Sequence, residues 1–104
     1  MKEDQGKPHP TFCPTQIIHD IIEVREFAMS KYSDPDNWKK VDNIRFIEAF
    51  LRHALAFWAD PHSVDEESGL SHYKHMACGL AFICENLKTT KENENVSTKR
   101  CGLD

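Results

Sequence analysis

Two stretches of helical periodicity, joined by a short acidic loop, constrain the fold of this chain more than any other feature of its sequence. Together with that loop they span Phe46 to Asn86 and contain four of the six histidines. Because the loop is short, the end of one helix and the start of the next must be neighbours. Helices that only pack together do not need so much imidazole. We therefore expect the functional site in this stretch.

The first of these helices, predicted at about 43–60 with a cap at Asp42, has an unusually wide apolar arc. At about 100° per residue, its apolar side chains cover roughly half of the helix circumference. A helix with so wide an arc is expected to pack against more than one neighbour. The arc contains Phe46, Phe57, Phe50, Ala54, Ile47, Trp58, Leu51, Ile44 and Leu55.

Three polar residues flank this arc. His53 lies at one border, Glu48 at the other, and Arg52 on the polar side between them. Glu48 and Arg52 are spaced for a surface ion pair along one helix face. Alternatively, Arg52 offers a fork of donors for phosphate oxygens, and His53 acts as a ligand or a base.

The next helix is predicted at about 70–88, and His72 and His75 lie near its start, three residues apart on one face. Gly79 lies on the same face and is expected to let another backbone or a ligand approach closely. The two histidines are interpreted either as core imidazoles bonded to carboxylates or as part of a ligand or metal site.

The loop between the two helices contains three consecutive carboxylates, Asp65, Glu66 and Glu67. Carboxylates close to a helix N-terminus compensate the helix dipole. Carboxylate oxygens in a short loop held at both ends are also typical ligands of a divalent cation. Both interpretations stay open on the sequence alone.

A first amphipathic helix is predicted at about 14–32, with Thr15 as its N-cap. A cluster of turn-forming residues, 33–37, ends it and is followed by Trp38 and two lysines. An aromatic ring beside amide and ammonium donors suits a loop that stacks on a base or holds phosphate. Equally, Trp38 would close the end of the helical bundle.

The length of 104 residues allows one small domain. We expect an extended arm at 1–13, a helical core domain at 14–88 and a disordered polar tail at 89–104. The fold class is all-α, a small three-helix (to four-helix) bundle. So small a core seldom buries enough surface alone, so we expect a homo-oligomer, most simply a dimer.

Charge and hydropathy exclude several classes of function. The formal net charge of −4 argues against binding of long nucleic acid, which requires a basic surface. No apolar run is long enough to span a membrane, and the N-terminal residues lack a signal-peptide core. The four cysteines lack metal-finger spacing. We expect a reduced, cytoplasmic protein.

The motifs occur in an order that resembles a phage family described as the dATP/dGTP diphosphohydrolase N-terminal domain. The matching elements run from about Lys7 to Leu87, which is most of the chain. They are Lys31-Tyr32, Asn37-Trp38-Lys39, Arg52-His53 with Trp58, the loop from Asp65 to Leu70, and His72 with His75. The resemblance implies a nucleotide ligand and the cytoplasm of an infected bacterial host.

The resemblance also implies a MazG-like, all-α pyrophosphohydrolase chemistry. Such enzymes hold magnesium with two acidic helix motifs, Glu-x-x-Glu and Glu-x-x-Asp. Here Glu23-x-x-Glu26 is the one motif of the first kind on a predicted helix, and we find no convincing second motif.

Three functions are compatible with these residues. The first is metal-dependent hydrolysis of dATP or dGTP with Mg²⁺ or Mn²⁺. The alternative is a non-catalytic oligomeric sponge that sequesters a nucleotide immune signal of the host. The third is an interaction module whose histidines are core residues. The candidate residues are Glu48 and His53 for catalysis; Lys31, Tyr32, Asn37, Trp38, Arg52, His72 and His75 for the phosphorylated nucleotide; and Asp65, Glu66 and Glu67 for the metal.

Overall fold

The computed structural model describes residues 5–94 and confirms an all-α fold. Three α-helices, α1 (Gln16–Met29), α2 (Asn43–Ala59) and α3 (His72–Glu94), follow one another along the chain. Short 3₁₀ turns occur at Pro10–Phe12 and Asn37–Lys40. Within the described range, strand-like pairing is limited to one isolated bridge between Val64 and Ser71.

The helix ends differ from the prediction at both ends of the bundle. α1 stops at Met29, three residues before the predicted end, where the Ser30 hydroxyl bonds back to the Phe27 carbonyl at 2.6 Å. α3 continues to Glu94, six residues beyond the predicted end. Elongating an existing helix adds one hydrogen bond per residue, and lysine and glutamate are good helix formers. The rest of the predicted disordered tail, 95–104, lies outside the described residues, as do residues 1–4 of the predicted arm.

α3 is the centre of the fold. Both α1 and α2 pack against α3, and these two helices do not pack against each other. Few apolar side chains are fully buried as a result: among residues 5–94 they are Val24 on α1, and Cys78 and Ile83 on α3. No helix in this range is both long enough and apolar enough to cross a membrane.

The contact between α2 and α3 is an antiparallel ladder of facing side chains. Asn43 bonds with Asn86 at 3.0 Å at one end, and the rings of Phe57 and Tyr73 meet edge to face at the other. Aromatic and imidazole rings fill most of the levels between. From one end to the other, the facing pairs are Asn43–Asn86, Phe46–Phe82, Phe50–Gly79, His53–His75 and Phe57–Tyr73.

A second apolar stripe on α2 faces away from α3. Its side chains keep between 37% and 80% of their surface exposed. The wide apolar arc is therefore real, but the prediction of more than one helical neighbour for α2 is not met within a single chain, because α1 does not reach it. We call this surface the α2 outer stripe; it consists of Ile44, Ile47, Leu51, Leu55 and Trp58.

Gly79 is not required for close approach, which corrects the expectation drawn from the sequence. A Cβ atom built on Gly79 would lie 3.9 Å from the Cβ of Phe50, an ordinary van der Waals distance. Glycine within a helix is otherwise unfavourable because it loses more conformational freedom on folding than alanine.

We expect the substitution Gly79→Ala to raise the free energy of unfolding by about 0.5–1 kcal/mol. Urea denaturation followed by circular dichroism measures this change. A loss of stability would show that α2 approaches α3 more closely at this level than the structure indicates.

Candidate functional site

Three histidines meet between the C-terminal half of α2 and the start of α3; we call them the imidazole cluster (His53, His72, His75). The Nδ1 atoms of His53 and His72 lie 2.8 Å apart. The ring of His75 stacks on that of His53, with centroids 4.6 Å apart and planes 7° from parallel. The antiparallel ladder brings these residues together, because His53 lies seven residues after Phe46 and His75 seven residues before Phe82.

The acidic loop (residues 60–71) holds Asp65 against this cluster through a network of local hydrogen bonds. The Oδ2 atom of Asp65 accepts bonds from the backbone N–H groups of Glu67 at 3.1 Å and Ser68 at 3.0 Å. Its backbone pairs with Leu70 and Gly69, both at 2.8 Å. Gly69 has φ = 75°, a left-handed conformation that glycine adopts without strain. The carboxylate is thus oriented before any ligand arrives.

Ser68 ties the loop to the imidazole cluster. Its hydroxyl oxygen lies 2.7 Å from Nε2 of His75 and also accepts the N–H of Leu70 at 3.1 Å. One atom therefore fixes both the loop conformation and the orientation of the His75 ring. That ring in turn supports His53 by stacking.

The surroundings favour the uncharged form of His53 and His75 and the ionised form of the carboxylate. Burial, and then the neighbouring His75, lower the pKa of His53, and burial also lowers the pKa of His75. Burial alone would raise the pKa of Asp65, but hydrogen bonds from Ser68 and the nearby imidazoles hold it below its usual value. Near pH 7 the site therefore presents the neutral imidazoles of His53 and His75 next to a carboxylate.

These shifts predict that the metal-free protein loses stability as the pH falls below about 6.5, the ordinary histidine pKa. In that range the unfolded chain binds protons that the folded chain does not, so stability is greatest above it. The charged and titratable groups around His53 are His72, His75, Asp65 and Arg52. The lowered pKa of Asp65 also makes the folded protein less stable as the pH falls, but only in the more acidic range where carboxylates titrate.

Urea midpoints measured with a chelator at pH 7.5 and pH 5 test this dependence. We expect the lower midpoint at pH 5 and a smaller difference in His53→Gln. An identical difference in both proteins would contradict the assignment to the cluster.

A pocket of about 210 Å³ lies on the same face of α3, farther along the helix. Trp38 stacks on Phe82 with centroids 4.8 Å apart and planes 14° from parallel, and Phe46 contacts the same ring at 5.0 Å. The guanidinium of Arg25 lies 5.2 Å from the centre of the Phe82 ring. We call this the aromatic pocket; it is lined by Arg25, Ala28, Met29, Tyr32, Asp34, Asn37, Trp38, Val41, Phe46 and Phe82.

Trp38 packs against the bundle, and its role toward a ligand stays a prediction. It stacks on Phe82 at the second level of the α2–α3 ladder, next to the Asn43–Asn86 end, and it forms a wall of the pocket. The pocket and the imidazole cluster are separated by the seven residues from His75 to Phe82, which is roughly 10 Å along a helix. Tyr32 and Asn37, two of the predicted ligand-binding residues, also line the pocket.

Lys31 connects the two regions. It forms an ion pair with Glu67 of the acidic loop, and this partner raises the pKa of Lys31. Glu67 is thereby engaged, and Glu66 is exposed. Of the three predicted metal carboxylates, the structure brings Asp65 alone among the imidazoles.

Arg52 and Glu48 lie farther from the cluster. Both are exposed, and neither belongs to the ion pairs that occur among residues 5–94. Arg52 still contributes to lowering the pKa of His53. Glu48 lies five residues before His53, roughly 140° around the helix. The structure therefore gathers His53, His72 and His75, while Glu48 lies on another face of α2.

One carboxylate of the Glu23-x-x-Glu26 motif takes part in the packing of α1. Glu23 forms an ion pair with Lys74 at 2.5 Å, which links α1 to α3, and Glu26 is exposed. Within the described part of the chain, one group of three residues is arranged to share a metal ion: His53, Asp65 and His72. Their ligand atoms all lie within 4.8 Å of one another.

Two contributors to these sites escaped the sequence analysis. Arg25 lies seven residues before Tyr32, a spacing that places both residues on one side of the α1 end. The sequence could therefore have indicated that Arg25 lies near the predicted ligand-binding residue Tyr32. Ser68 follows Asp65 by three residues, a pattern typical of turns closed by an aspartate side chain. Its bond to His75 depends on the path of the loop and has no sequence signal.

Comparison with known proteins gives this arrangement a context. The sequence model of a family described as "dATP/dGTP diphosphohydrolase, N-terminal" matches residues 1–96. The chain is also similar to a protein of Salmonella phage PMBT28 named dATP/dGTP diphosphohydrolase, with 31% identity over 83 residues. That match covers 80% of this chain but 28% of the relative, so the chain spans less than a third of that protein's length. No solved structure matches the chain.

The family match takes in nearly the whole chain and every motif discussed above. It confirms the resemblance drawn from the order of those motifs. The chain belongs to the family of dATP/dGTP diphosphohydrolase N-terminal domains.

Proposed function

We propose that this chain binds dATP or dGTP and takes part in its hydrolysis to the nucleoside monophosphate and pyrophosphate. The observation that carries the proposal is the imidazole cluster beside a pre-oriented carboxylate, with an aromatic pocket farther along the same face of α3. The family and the name of the phage relative supply the substrate class.

The aromatic pocket is the proposed base site. Its volume of about 210 Å³ is smaller than the roughly 300–1,000 Å³ of typical pockets for drug-sized ligands, so it suits one ring system rather than a whole nucleotide. Trp38 and Tyr32 offer flat apolar surfaces for a base. Arg25 and Asn37 offer donors for the edge of a purine.

The triphosphate is proposed to extend from this pocket toward the imidazole cluster. The separation of roughly 10 Å along α3 is compatible with the span of a nucleoside triphosphate. Lys31 lies beside the pocket residue Tyr32 and reaches the acidic loop, so it is placed to exchange Glu67 for a phosphate oxygen. Arg52 is exposed, directly precedes His53 in the chain and contributes to the lowered pKa of His53, so it is proposed as a second cation.

Hydrolysis adds water across the bond between the α- and β-phosphates, and a general base must take one proton from that water. His53 is suited to this role because its lowered pKa keeps the ring neutral near pH 7. Asp65 would stabilise the imidazolium that forms, since its carboxylate remains ionised. The stack of His75 on His53 fixes the ring during the transfer.

Sequestration without turnover is the second candidate function. It is favoured by the pairing of Glu23 with Lys74, which leaves α1 without the free acidic motif of the pyrophosphohydrolases. A protein that only sequesters a nucleotide needs the pocket and the cations but no chemistry at the cluster.

One experiment separates these functions. The protein is incubated with each of the four deoxynucleoside triphosphates and with Mg²⁺ or Mn²⁺, then assayed for thermal shift and, by anion-exchange chromatography, for products. We expect a thermal shift with dATP or dGTP accompanied by monophosphate and pyrophosphate. A shift without products supports sequestration, and the absence of any shift contradicts nucleotide binding.

The matched variants are Asn37→Ala, in the aromatic pocket, and Lys40→Ala, an exposed lysine of the same turn that does not line it. Loss of one hydrogen bond to the base would weaken binding by about 0.5–1.5 kcal/mol in Asn37→Ala. Binding to Lys40→Ala should match the parent protein. A larger loss in Lys40→Ala would place the nucleotide on the opposite side of the turn.

A further inference from the structure

The geometry points to a transition-metal site formed by Nδ1 of His53, Nδ1 of His72 and a carboxylate oxygen of Asp65, in place of a carboxylate magnesium site. This inference rests on the proposed function and changes one role in it: with Nδ1 of His53 on a metal ion, that ring has no free nitrogen to accept a proton, and the metal would activate the water instead. The binding of the metal itself does not require a nucleotide, so the two proposals can be tested separately.

The spacing of the two nitrogens matches shared coordination. Histidine nitrogens bind Zn²⁺ and similar ions at about 2.0–2.1 Å, so two of them on one ion, at an angle between 90° and tetrahedral, lie roughly 3 Å apart. Nδ1 of His53 and Nδ1 of His72 are 2.8 Å apart. A metal ion would take the place of the hydrogen bond between these two nitrogens.

Asp65 supplies the third ligand with little rearrangement. Its Oδ2 atom is held by the N–H groups of Glu67 and Ser68, and neither of these two bonds uses Oδ1. The ligand atoms of Asp65, His53 and His72 already lie within 4.8 Å of one another. The side chain is half-buried, so water does not fully compete for the remaining oxygen.

Surrounding groups orient the ligands in the way that metal sites generally require. His75 stacks on His53 and is itself bonded to the Ser68 hydroxyl, so the ring plane of His53 is fixed. The backbone bonds within the acidic loop fix Asp65. Neither support depends on the metal, so the site is formed before the ion binds.

The ligand set selects the class of metal. Two imidazoles and one carboxylate favour Mn²⁺, Fe²⁺, Co²⁺ or Zn²⁺, whereas Mg²⁺ prefers oxygen ligands and keeps its water. Three protein ligands also leave coordination positions open for a phosphate oxygen or a water molecule. This is the pattern of a metal that acts on a substrate rather than one that only stabilises a fold.

The test uses Co²⁺ alone as the probe, added to the chelator-treated full chain and followed by its visible absorption. We expect one Co²⁺ per chain, displaced by Zn²⁺ and retained in a large excess of Mg²⁺. His72→Ala should weaken Co²⁺ binding by more than the roughly 10–100-fold that loss of an outer-sphere partner costs. Asp65→Asn should weaken it as well, while its amide oxygen still accepts the two loop hydrogen bonds.

His62→Ala is the matched control, because His62 is an exposed histidine of the same loop outside the cluster. It should bind Co²⁺ as the parent protein does, and far-ultraviolet circular dichroism should show every variant folded. Displacement of Co²⁺ by Mg²⁺, or an equal loss in His62→Ala, would overturn the site.

The same titration distinguishes failure of this inference from failure of the proposed function. Co²⁺ binding without any response to dATP or dGTP supports the metal site and contradicts the nucleotide proposal. Nucleotide binding in the presence of Mg²⁺, together with no Co²⁺ binding, supports the nucleotide proposal and contradicts the metal site.

Discussion

His72→Ala should lower the rate of dATP or dGTP hydrolysis by at least about 100-fold while changing the melting temperature of the nucleotide-free protein little. Position-specific acid–base and metal-ligand groups contribute at least this factor to catalysis. The fold should tolerate the change because His72 is only half-buried and lies in the first turn of α3, away from Cys78 and Ile83.

The same substitution at His62 is the control for this prediction, and we expect its rate and melting temperature to match those of the parent protein. The alternative interpretation, that the histidines are core residues, predicts a different outcome. In that case His72→Ala would lower the melting temperature of the nucleotide-free protein strongly and leave nucleotide binding intact.

Leu55→Glu should convert a homodimer into a single chain with a markedly lower melting temperature. The α2 outer stripe is the reason: its five apolar side chains are exposed along one face, and α1 does not cover them. A second copy of the same stripe would bury them, with each leucine contributing about 1.5–3 kcal/mol. Leu55 keeps 64% of its surface exposed in the single chain, so much remains to be buried.

Light scattering coupled to size-exclusion chromatography measures this effect directly. We expect the parent protein at twice the chain mass of 12.0 kDa and Leu55→Glu at the chain mass. Arg45→Glu introduces the same negative side chain on an exposed part of α2 outside the stripe and should remain a dimer. A parent protein that is a stable single chain at micromolar concentration would contradict the prediction.

The sequence predicts the α2–α3 pair well because both helices repeat their key residues at intervals of seven. Phe46 and His53 lie on one face of α2, and Phe82 and His75 on one face of α3. Once the short loop forces the two helices to run in opposite directions, the rings must meet level by level. The repeat and the short loop together account for the stacking of His53 on His75, whereas the sequence alone does not show that His53, His72 and His75 meet in space.

Features that depend on the path of the loops could not be predicted in the same way. The sequence does not distinguish the consecutive carboxylates Asp65, Glu66 and Glu67. In the structure the turn closed by Asp65 directs that carboxylate toward the imidazole cluster, whereas Glu67 pairs with Lys31. No local feature of the sequence indicates that α1 packs against α3 and not against α2, since α1 and α2 both have an apolar face. That choice decides which apolar surfaces stay exposed.

A crystal structure of the protein with Co²⁺ and a non-hydrolysable dGTP analogue, recorded at the cobalt absorption edge, tests the central claim most directly. We expect an anomalous peak bound by Nδ1 of His53 and of His72, with phosphate oxygens beside it and the guanine in the aromatic pocket against Trp38. A nucleotide bound elsewhere, with the histidine rings still bonded to each other and no metal between them, would contradict it.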